Sequence, residues 1–176
     1  MTPAELAERA RKVKLLVFDV DGVLTDGGLY YGPTGEMMKR FDVHDGHGIV
    51  MARIVGLPAA VLTARKSEMV EVRGKELKLA AVFQGRKEKG PALEELAQSL
   101  GLAAADCSYM GDDTNDLPCF RRAGLAACPA DAMPEAREAA HFVASRAGGH
   151  GAARELVELV LRAQGKWDEA LRLMGP

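Results

Sequence analysis

Cysteine, aromatic residues and long apolar runs are all scarce in this chain. Of 176 residues, three are cysteine, one is tryptophan, three are tyrosine and five are phenylalanine. Cys107, Cys119 and Cys128 are odd in number and show no metal-type spacing. They exclude a disulfide framework and a cysteine-held zinc, and are expected to be reduced thiols in a cytoplasmic protein. No apolar stretch is long enough to span a bilayer, and Met1-Thr2-Pro3-Ala4-Glu5 lacks the basic head and apolar core of a secretion signal. Neither charge is in excess: 23 Lys and Arg stand against 25 Asp and Glu, a net of −2. That balance argues against nucleic acid or an anionic membrane as partner. Repeats and low-complexity linkers are absent as well, and the length suits a single domain over 1–176.

What the chain does have is an apolar run, Leu15-Leu16-Val17-Phe18, that leads directly into Asp19-Val20-Asp21-Gly22-Val23-Leu24-Thr25. Such a run reads as a strand buried on both faces. Asp19 then falls at the carboxyl end of that strand, where open α/β sheets place ligands. Two acids this close repel unless a cation or a shared proton relieves them. An ordinary Asp-Gly turn is the plain alternative, and the full Asp-x-Asp-Gly-x-Leu-Thr string weighs against it.

Around this stretch, strands and helices alternate. Thr2-Pro3-Ala4-Glu5 opens a helix with a capping box and runs to about Lys12. Residues 29–41, with Gly32-Pro33-Thr34-Gly35 at their centre, read as a hairpin projecting near the acidic pair. Its Tyr30-Tyr31 and Met37-Met38 would leave apolar surface in need of a covering partner. Asp42 to Gly48 reads as a polar loop before a helix from Ile49 to Val55. Strands are expected over 57–62, 80–83, 125–127 and 141–143, with a further strand ending at Ser108-Tyr109-Met110-Gly111. Helices are expected over 68–77, 90–100, 117–123 and 152–163, with a short one from Pro134; a last segment over 167–173 reads either as a short helix or as a loose tail. The pattern predicts an α/β, Rossmann-like, doubly wound parallel sheet with helices on both faces.

Four polar clusters fall at expected strand ends: Asp19/Asp21, Thr63, Lys89 and Asp112/Asp113/Asp116. In a parallel sheet these ends share one edge. Acids converging there make a hard-oxygen site suited to Mg²⁺, and Thr63 and Lys89 add a hydroxyl donor and a cation, the parts of a phosphoryl clamp. A carboxylate attacks phosphorus only where the repulsion between the two anions is offset, and a second carboxylate two residues on can serve as acid and base.

With Thr63, Lys89 and Gly111-Asp112-Asp113-x-x-Asp116, the Asp19-to-Thr25 string resembles the four motifs of the haloacid dehalogenase superfamily of phosphatases. The hairpin, the Phe41–Ile49 stretch, Gln84-Gly85, Asp112-Asp113-Thr114-Asn115-Asp116-Leu117-Pro118, Gly148-Gly149-His150-Gly151-Ala152-Ala153-Arg154-Glu155 and Ala163-Gln164-Gly165-Lys166 resemble, more narrowly, the 3-deoxy-D-manno-octulosonate 8-phosphate phosphatases. The resemblance implies Asp19 as nucleophile and metal ligand, and Asp21 as acid/base and as ligand through its carbonyl. Asp112 becomes the third metal ligand, with Asp113 and Asp116 in the outer shell. It also implies that Thr63 and Lys89 hold the phosphoryl group, and that Asp42, Val43, His44, Asp45, Gly46, Arg65 and Arg73 line the sugar-acid site. A capless domain, Mg²⁺, and a homotetramer built on the hairpins, with the tail 166–176 of one subunit over a neighbour's site, follow from it too. Ala64 replaces the family's usual glycine, and His44 and Val50 stand where members often carry basic or polar residues. This leaves a nine-carbon sugar-acid phosphate as the alternative substrate.

Solvated arginine is the ordinary state of Arg65 and Arg73, and the glycine-rich loop before Arg154 reads equally as an anion site or a tight turn. Two further classes remain: a silent oligomerisation module, which need not keep Asp19, Asp21, Lys89 and Asp112 together, and a receiver domain, which would carry no Asp-x-Asp.

Overall fold

The strands that read as unbroken apolar runs are buried on both sides, and their alternate residues supply two separate cores. The computed structural model describes residues 1–175; Pro176, the end of the expected tail, lies outside the described residues. Strands β1 (Leu15–Phe18), β4 (Ala59–Leu62), β5 (Ala81–Phe83), β6 (Cys107–Met110), β7 (Leu125–Cys128) and β8 (Phe142–Val143) form one parallel sheet in the order β5-β4-β1-β6-β7-β8. The remaining pair, β2 (Tyr30–Gly32) and β3 (Gly35–Met38), is an antiparallel hairpin outside this sheet.

Because successive strand side chains point to opposite faces, Leu16 and Phe18 enter one core while Leu15 and Val17 enter the other. On the first face lie α1 (Pro3–Arg11), α2 (Val43–Ile54), α3 (Glu68–Leu77), α7 (Ala152–Ala163) and α8 (Trp167–Leu173). On the second lie α4 (Lys89–Ser99), α5 (Leu117–Phe120) and α6 (Pro134–Ala139). Helix α7 shows most plainly why: Leu156, Val157, Val160 and Leu161 fall at helical spacing on one face, and all are fully buried. The expected capping box of α1 is present, with the Thr2 side chain accepting from Glu5 N and the Glu5 carboxylate accepting from Thr2 N.

The largest departure from expectation is α2, which begins at Val43 rather than Ile49. The stretch expected to be a loop is its first turns. Asp42 caps it, accepting from His44 N at 2.7 Å and Asp45 N at 3.4 Å, so a carboxylate offsets the exposed N–H groups of a glycine- and histidine-rich start. The helix expected over 117–123 is shorter: a 3-10 turn, Thr114–Asp116, precedes α5, which ends at Phe120.

Candidate active site

From β1 the chain moves outward to β4 and β5, then returns to lay β6 on the other side of β1. That reversal leaves a crevice at the carboxyl ends of the strands, the usual ligand position in such sheets. Asp19 follows β1 and Asp112 lies just past β6, so the two flank the crevice. A cavity of about 230 Å³ opens there, lined among others by Asp19, Asp21, Thr63, Arg65, Lys89, Asp112, Asp113 and Asn115. The four clusters from distant parts of the chain therefore converge.

Lys89, the first residue of α4, is the centre of the arrangement. Its side chain is 1% exposed, and Nζ donates to Asp19 Oδ2 at 2.5 Å and to Asp116 Oδ1 at 2.6 Å. Asp116 is fully buried; Oδ1 also accepts from the Tyr109 hydroxyl at 2.7 Å, and Oδ2 from Asp112 N at 3.0 Å and Asp113 N at 3.3 Å. Its acceptor capacity is thus spent on holding Lys89 and the loop after β6. Asp19 Oδ1 accepts from Val20 N at 2.7 Å.

Charge is costly in this setting. Burial raises the Asp19 carboxyl above the usual carboxylate range, against the opposing pull of Lys89. Burial opposes the charge on Lys89 too, but Asp19 and Asp116 outweigh it and hold the ammonium firmly protonated. Asp112 is pushed up to about 7, first by burial and then by Asp19 and Asp116.

Asp19, Asp112 and Asp116 each offer a carboxylate oxygen within 4.8 Å of the others. With Asp116 spent, Asp19 and Asp112 remain as two facing hard donors with excess negative charge between them, a set that fits Mg²⁺. Gly22 makes this approach possible. Its φ is +83°, and a side chain there would collide with the Asp112 carboxylate. Thr63 is buried at the end of β4. Lys78 is the one non-glycine residue with positive φ among the described residues, so Ala64 adopts a conformation open to alanine.

On the side of the hairpin, Asp21 is flanked by Lys39 and Arg65. Lys39, just past β3, pairs through Nζ with Asp21 Oδ1 and, at 3.0 Å, with Glu36 Oε1. Arg65 Nη2 donates to the Tyr31 hydroxyl at 3.1 Å and to Glu36 Oε1 at 3.2 Å, and its Nε lies 3.5 Å from Asp21 Oδ2. Lys39, Glu36 and Tyr109 carry no site signal in the sequence, and Tyr31 reads there only as apolar hairpin surface; Glu36 and Lys39 merely flank the exposed Met37 and Met38.

The Asp42–Gly46 segment is placed differently. Asp42 caps α2. Val43 is exposed, and His44 Nδ1 lies 3.3 Å from Asp42 Oδ1. Asp45 is buried and accepts from Gly151 N at 3.2 Å and Arg154 N at 2.8 Å. This carboxylate occupies the start of α7, so the glycine-rich loop is a tight packing turn whose helix end is filled from within. Gly148 abuts the Gly22 carbonyl, and Gly149 N donates to Val23 O at 2.9 Å, fastening the loop under the acidic pair. Arg73 packs against Gly46, its Nη2 donating to Asp42 O at 3.4 Å and its guanidinium 5.7 Å from the Phe41 ring. It is not among the residues lining the 230 Å³ cavity. Val50 packs against the core and offers no charge. His141 Nδ1 accepts from Ala126 N at 2.9 Å, and Trp167 is flanked by Arg154 and Arg162 at 5.4 and 4.5 Å; both are packing residues.

Comparison with known proteins places this geometry in context. A profile described as haloacid dehalogenase-like hydrolase matches residues 60–156. The 3-deoxy-D-manno-octulosonate 8-phosphate phosphatase of Escherichia coli K12 is 41% identical over 95% of this chain and 89% of its own length. Among solved structures, that of the same phosphatase from Moraxella catarrhalis, in complex with a magnesium ion, a phosphate ion and KDO, superposes with a TM-score of 0.94 at 35% identity, covering 99% of this chain and 100% of the other. The cobalt-bound deoxy-D-mannose-octulosonate 8-phosphate phosphatase from Haemophilus influenzae gives a TM-score of 0.90 at 38% identity, covering 95% and 99%.

Proposed function

Because the chain belongs to the haloacid dehalogenase-like hydrolases and, within them, to the family of the 3-deoxy-D-manno-octulosonate 8-phosphate phosphatases, we propose that it hydrolyses that phosphomonoester to the free sugar acid and phosphate, with Mg²⁺ as cofactor. The observation that carries the reading is the meeting of Asp19, Asp112 and Lys89 at one switch-point cavity.

Asp19 attacks phosphorus, and an aspartyl phosphate forms as the bond to the sugar oxygen breaks. Asp21 supplies the proton that the sugar oxygen needs to leave. Asp21 then takes a proton from the water that attacks the aspartyl phosphate, which releases phosphate and restores Asp19. Lys89 and Thr63 hold the phosphoryl oxygens, and Asp116 keeps Lys89 aimed at them. Mg²⁺, held by Asp19, Asp112 and the Asp21 carbonyl, supplies the charge neutralisation that lets one anion approach another. Arg65 suits the substrate carboxylate because a guanidinium matches two oxygens, with Arg73 and the Asp42–Gly46 segment further out.

Among the described residues no cap domain lies over the cavity. The hairpin carries exposed Tyr31, Met37 and Met38, 60%, 63% and 54% exposed. Their exposure supports a homo-oligomer that would bury them, a tetramer by the family resemblance. The three buried, unpaired thiols support a cytoplasmic setting.

The test is phosphate release from 3-deoxy-D-manno-octulosonate 8-phosphate and from a nine-carbon 2-keto sugar-acid 9-phosphate, with Mg²⁺ or with EDTA, alongside Asp19→Asn. Release from the eight-carbon substrate that needs the metal and disappears in the variant is the expected result. Preference for the nine-carbon substrate would move the assignment to the sialic-type acids, and turnover by Asp19→Asn would refute the nucleophile.

A further inference from the structure

One buried cation that pairs with a residue lining the cavity, Asp21, has no task in the reaction as described. Lys39 sits on the hairpin, outside every motif, yet its side chain is 1% exposed. A lysine loses several kcal/mol of hydration when buried this way unless its charge is matched. Lys39 is matched on two sides: by Asp21 Oδ1, and by Glu36 Oε1 at 3.0 Å. Glu36 is itself shared, accepting from Arg65 Nη2 at 3.2 Å, while Arg65 Nε lies 3.5 Å from the second Asp21 oxygen. Asp21 is therefore held at both oxygens by cations that Glu36 ties together, and three of the residues in this frame, Tyr31, Glu36 and Lys39, belong to the hairpin.

We infer that Lys39 is a positioning residue that fixes the rotamer of Asp21, with Glu36 as the brace that sets Lys39, so that the hairpin determines where the proton donor and acceptor of the reaction points. The inference rests on the phosphatase reading. It differs from a purely structural role in what it predicts. A side chain with sp³–sp² freedom at its tip samples many orientations unless bonded, and misplacing an acid by about 1 Å costs about 100-fold in rate. Only steps that need Asp21 would suffer.

That asymmetry can be read with two leaving groups. A sugar alkoxide must be protonated to depart, whereas 4-nitrophenolate leaves without a proton. For Lys39→Met on 3-deoxy-D-manno-octulosonate 8-phosphate, kcat should fall about 10- to 100-fold with KM within about threefold. On 4-nitrophenyl phosphate the first step should proceed within about threefold of wild type while the second step, which needs Asp21 as base, slows by the same factor as the sugar substrate. The variant should then show a pre-steady-state burst of 4-nitrophenolate approaching one per active site. Lys39→Arg should recover most of the lost kcat. Glu36→Gln, which reaches Asp21 only through Lys39 and Arg65, should give the same pattern in weaker form and keeps the test usable if Lys39→Met does not fold.

Equal losses in the 4-nitrophenolate burst and in sugar-phosphate turnover would overturn the inference in favour of a structural role. So would a kcat within about twofold of wild type on both substrates. Should the wild type ignore the sugar phosphate, the substrate assignment fails by itself. The ratio of variant to wild type is then read on any alkyl phosphate that the wild type hydrolyses.

Discussion

Replacing Lys89 by methionine separates the two tasks that the structure gives this residue. Its ammonium is shared between Asp19 and Asp116 at 2.5 and 2.6 Å, and all three side chains are buried. Removing one partner of a buried ion pair costs about 3–5 kcal/mol because the other charge stays behind. Asp116 keeps the Tyr109 hydroxyl and two backbone N–H donors. Asp19 keeps only Val20 N and responds by holding a proton. The sign follows. Burial already raises the Asp19 carboxyl above its unfolded value, and losing Lys89 raises it further. An acid raised on folding is no burden below its unfolded pKa, but each pH unit from there up to its folded pKa removes about 1.4 kcal/mol. In the variant that window extends higher than in the wild type.

Without metal, Lys89→Met should therefore lie closest to the wild type near pH 5 and fall progressively behind up to pH 8.5. Mg²⁺ should restore more stability to the variant than to the wild type, since Asp19 and Asp112 then lack any internal cation. Turnover should drop at least about 100-fold even with metal saturating, because the phosphoryl clamp has lost its fixed charge. Urea unfolding at three pH values, with EDTA and with MgCl₂, measures the first part, and phosphate release the second. A metal-free variant within about 1 kcal/mol of wild type at every pH would refute the electrostatic account of the site.

Two further outcomes follow from packing. Cys107 and Cys119 are pushed up to about 12 and Cys128 to about 11 by burial, so the native protein at pH 8 should consume no Ellman's reagent over a time in which the urea-unfolded chain consumes three equivalents; fast native reaction would contradict the placement of these thiols in the core. Gly148→Ala would drive a methyl into the Gly22 carbonyl, so either the acidic loop or the glycine-rich loop must move. It should cost more than about 2 kcal/mol in urea and weaken Mg²⁺ binding in a calorimeter together with stability; an alanine variant with unchanged metal affinity would refute the idea that this loop supports the acidic pair.

The sheet and the convergence of the acids were legible because both depend on strong local signals. A run such as Leu15–Phe18 has no reading but a doubly buried strand, and acids directly after such strands must share an edge in a parallel sheet. Helix α7 was legible for a similar reason: regular apolar spacing bounded by glycine. Over 167–173 the sequence left a short helix and a loose tail both open, and the structure makes the segment helix α8. The start of α2 was not. Gly46, Gly48 and two histidines are poor helix formers, and what makes them helical is remote. Asp45 is locked to the backbone of α7, and Gly46 and Gly48 admit the side chains of Arg73 and Arg154 at close range. Local propensity is overruled there by contacts more than a hundred positions away in the chain.

Lys39 was illegible for a different physical reason, and that reason bears on how the site works. Asp19, Asp21, Asp112, Asp113 and Asp116 gather at one rim, and Lys89 at the start of α4 compensates Asp19 and Asp116. The remaining compensation arrives from the hairpin and from Arg65, through Lys39 and the shared Glu36. A parallel sheet announces its ligand edge by strand ends, but a hairpin appended to it carries no such rule, so its contribution is visible only in three dimensions. The same hairpin exposes its apolar face. Covering that face with a second subunit would restrict the motion of the strand that ends at Met38, and with it the ammonium that holds Asp21. With such an assembly, subunit association and proton transfer would be coupled through one side chain: loosening the hairpin should cost turnover before it costs the fold, since β2 and β3 form a two-stranded sheet separate from the main one.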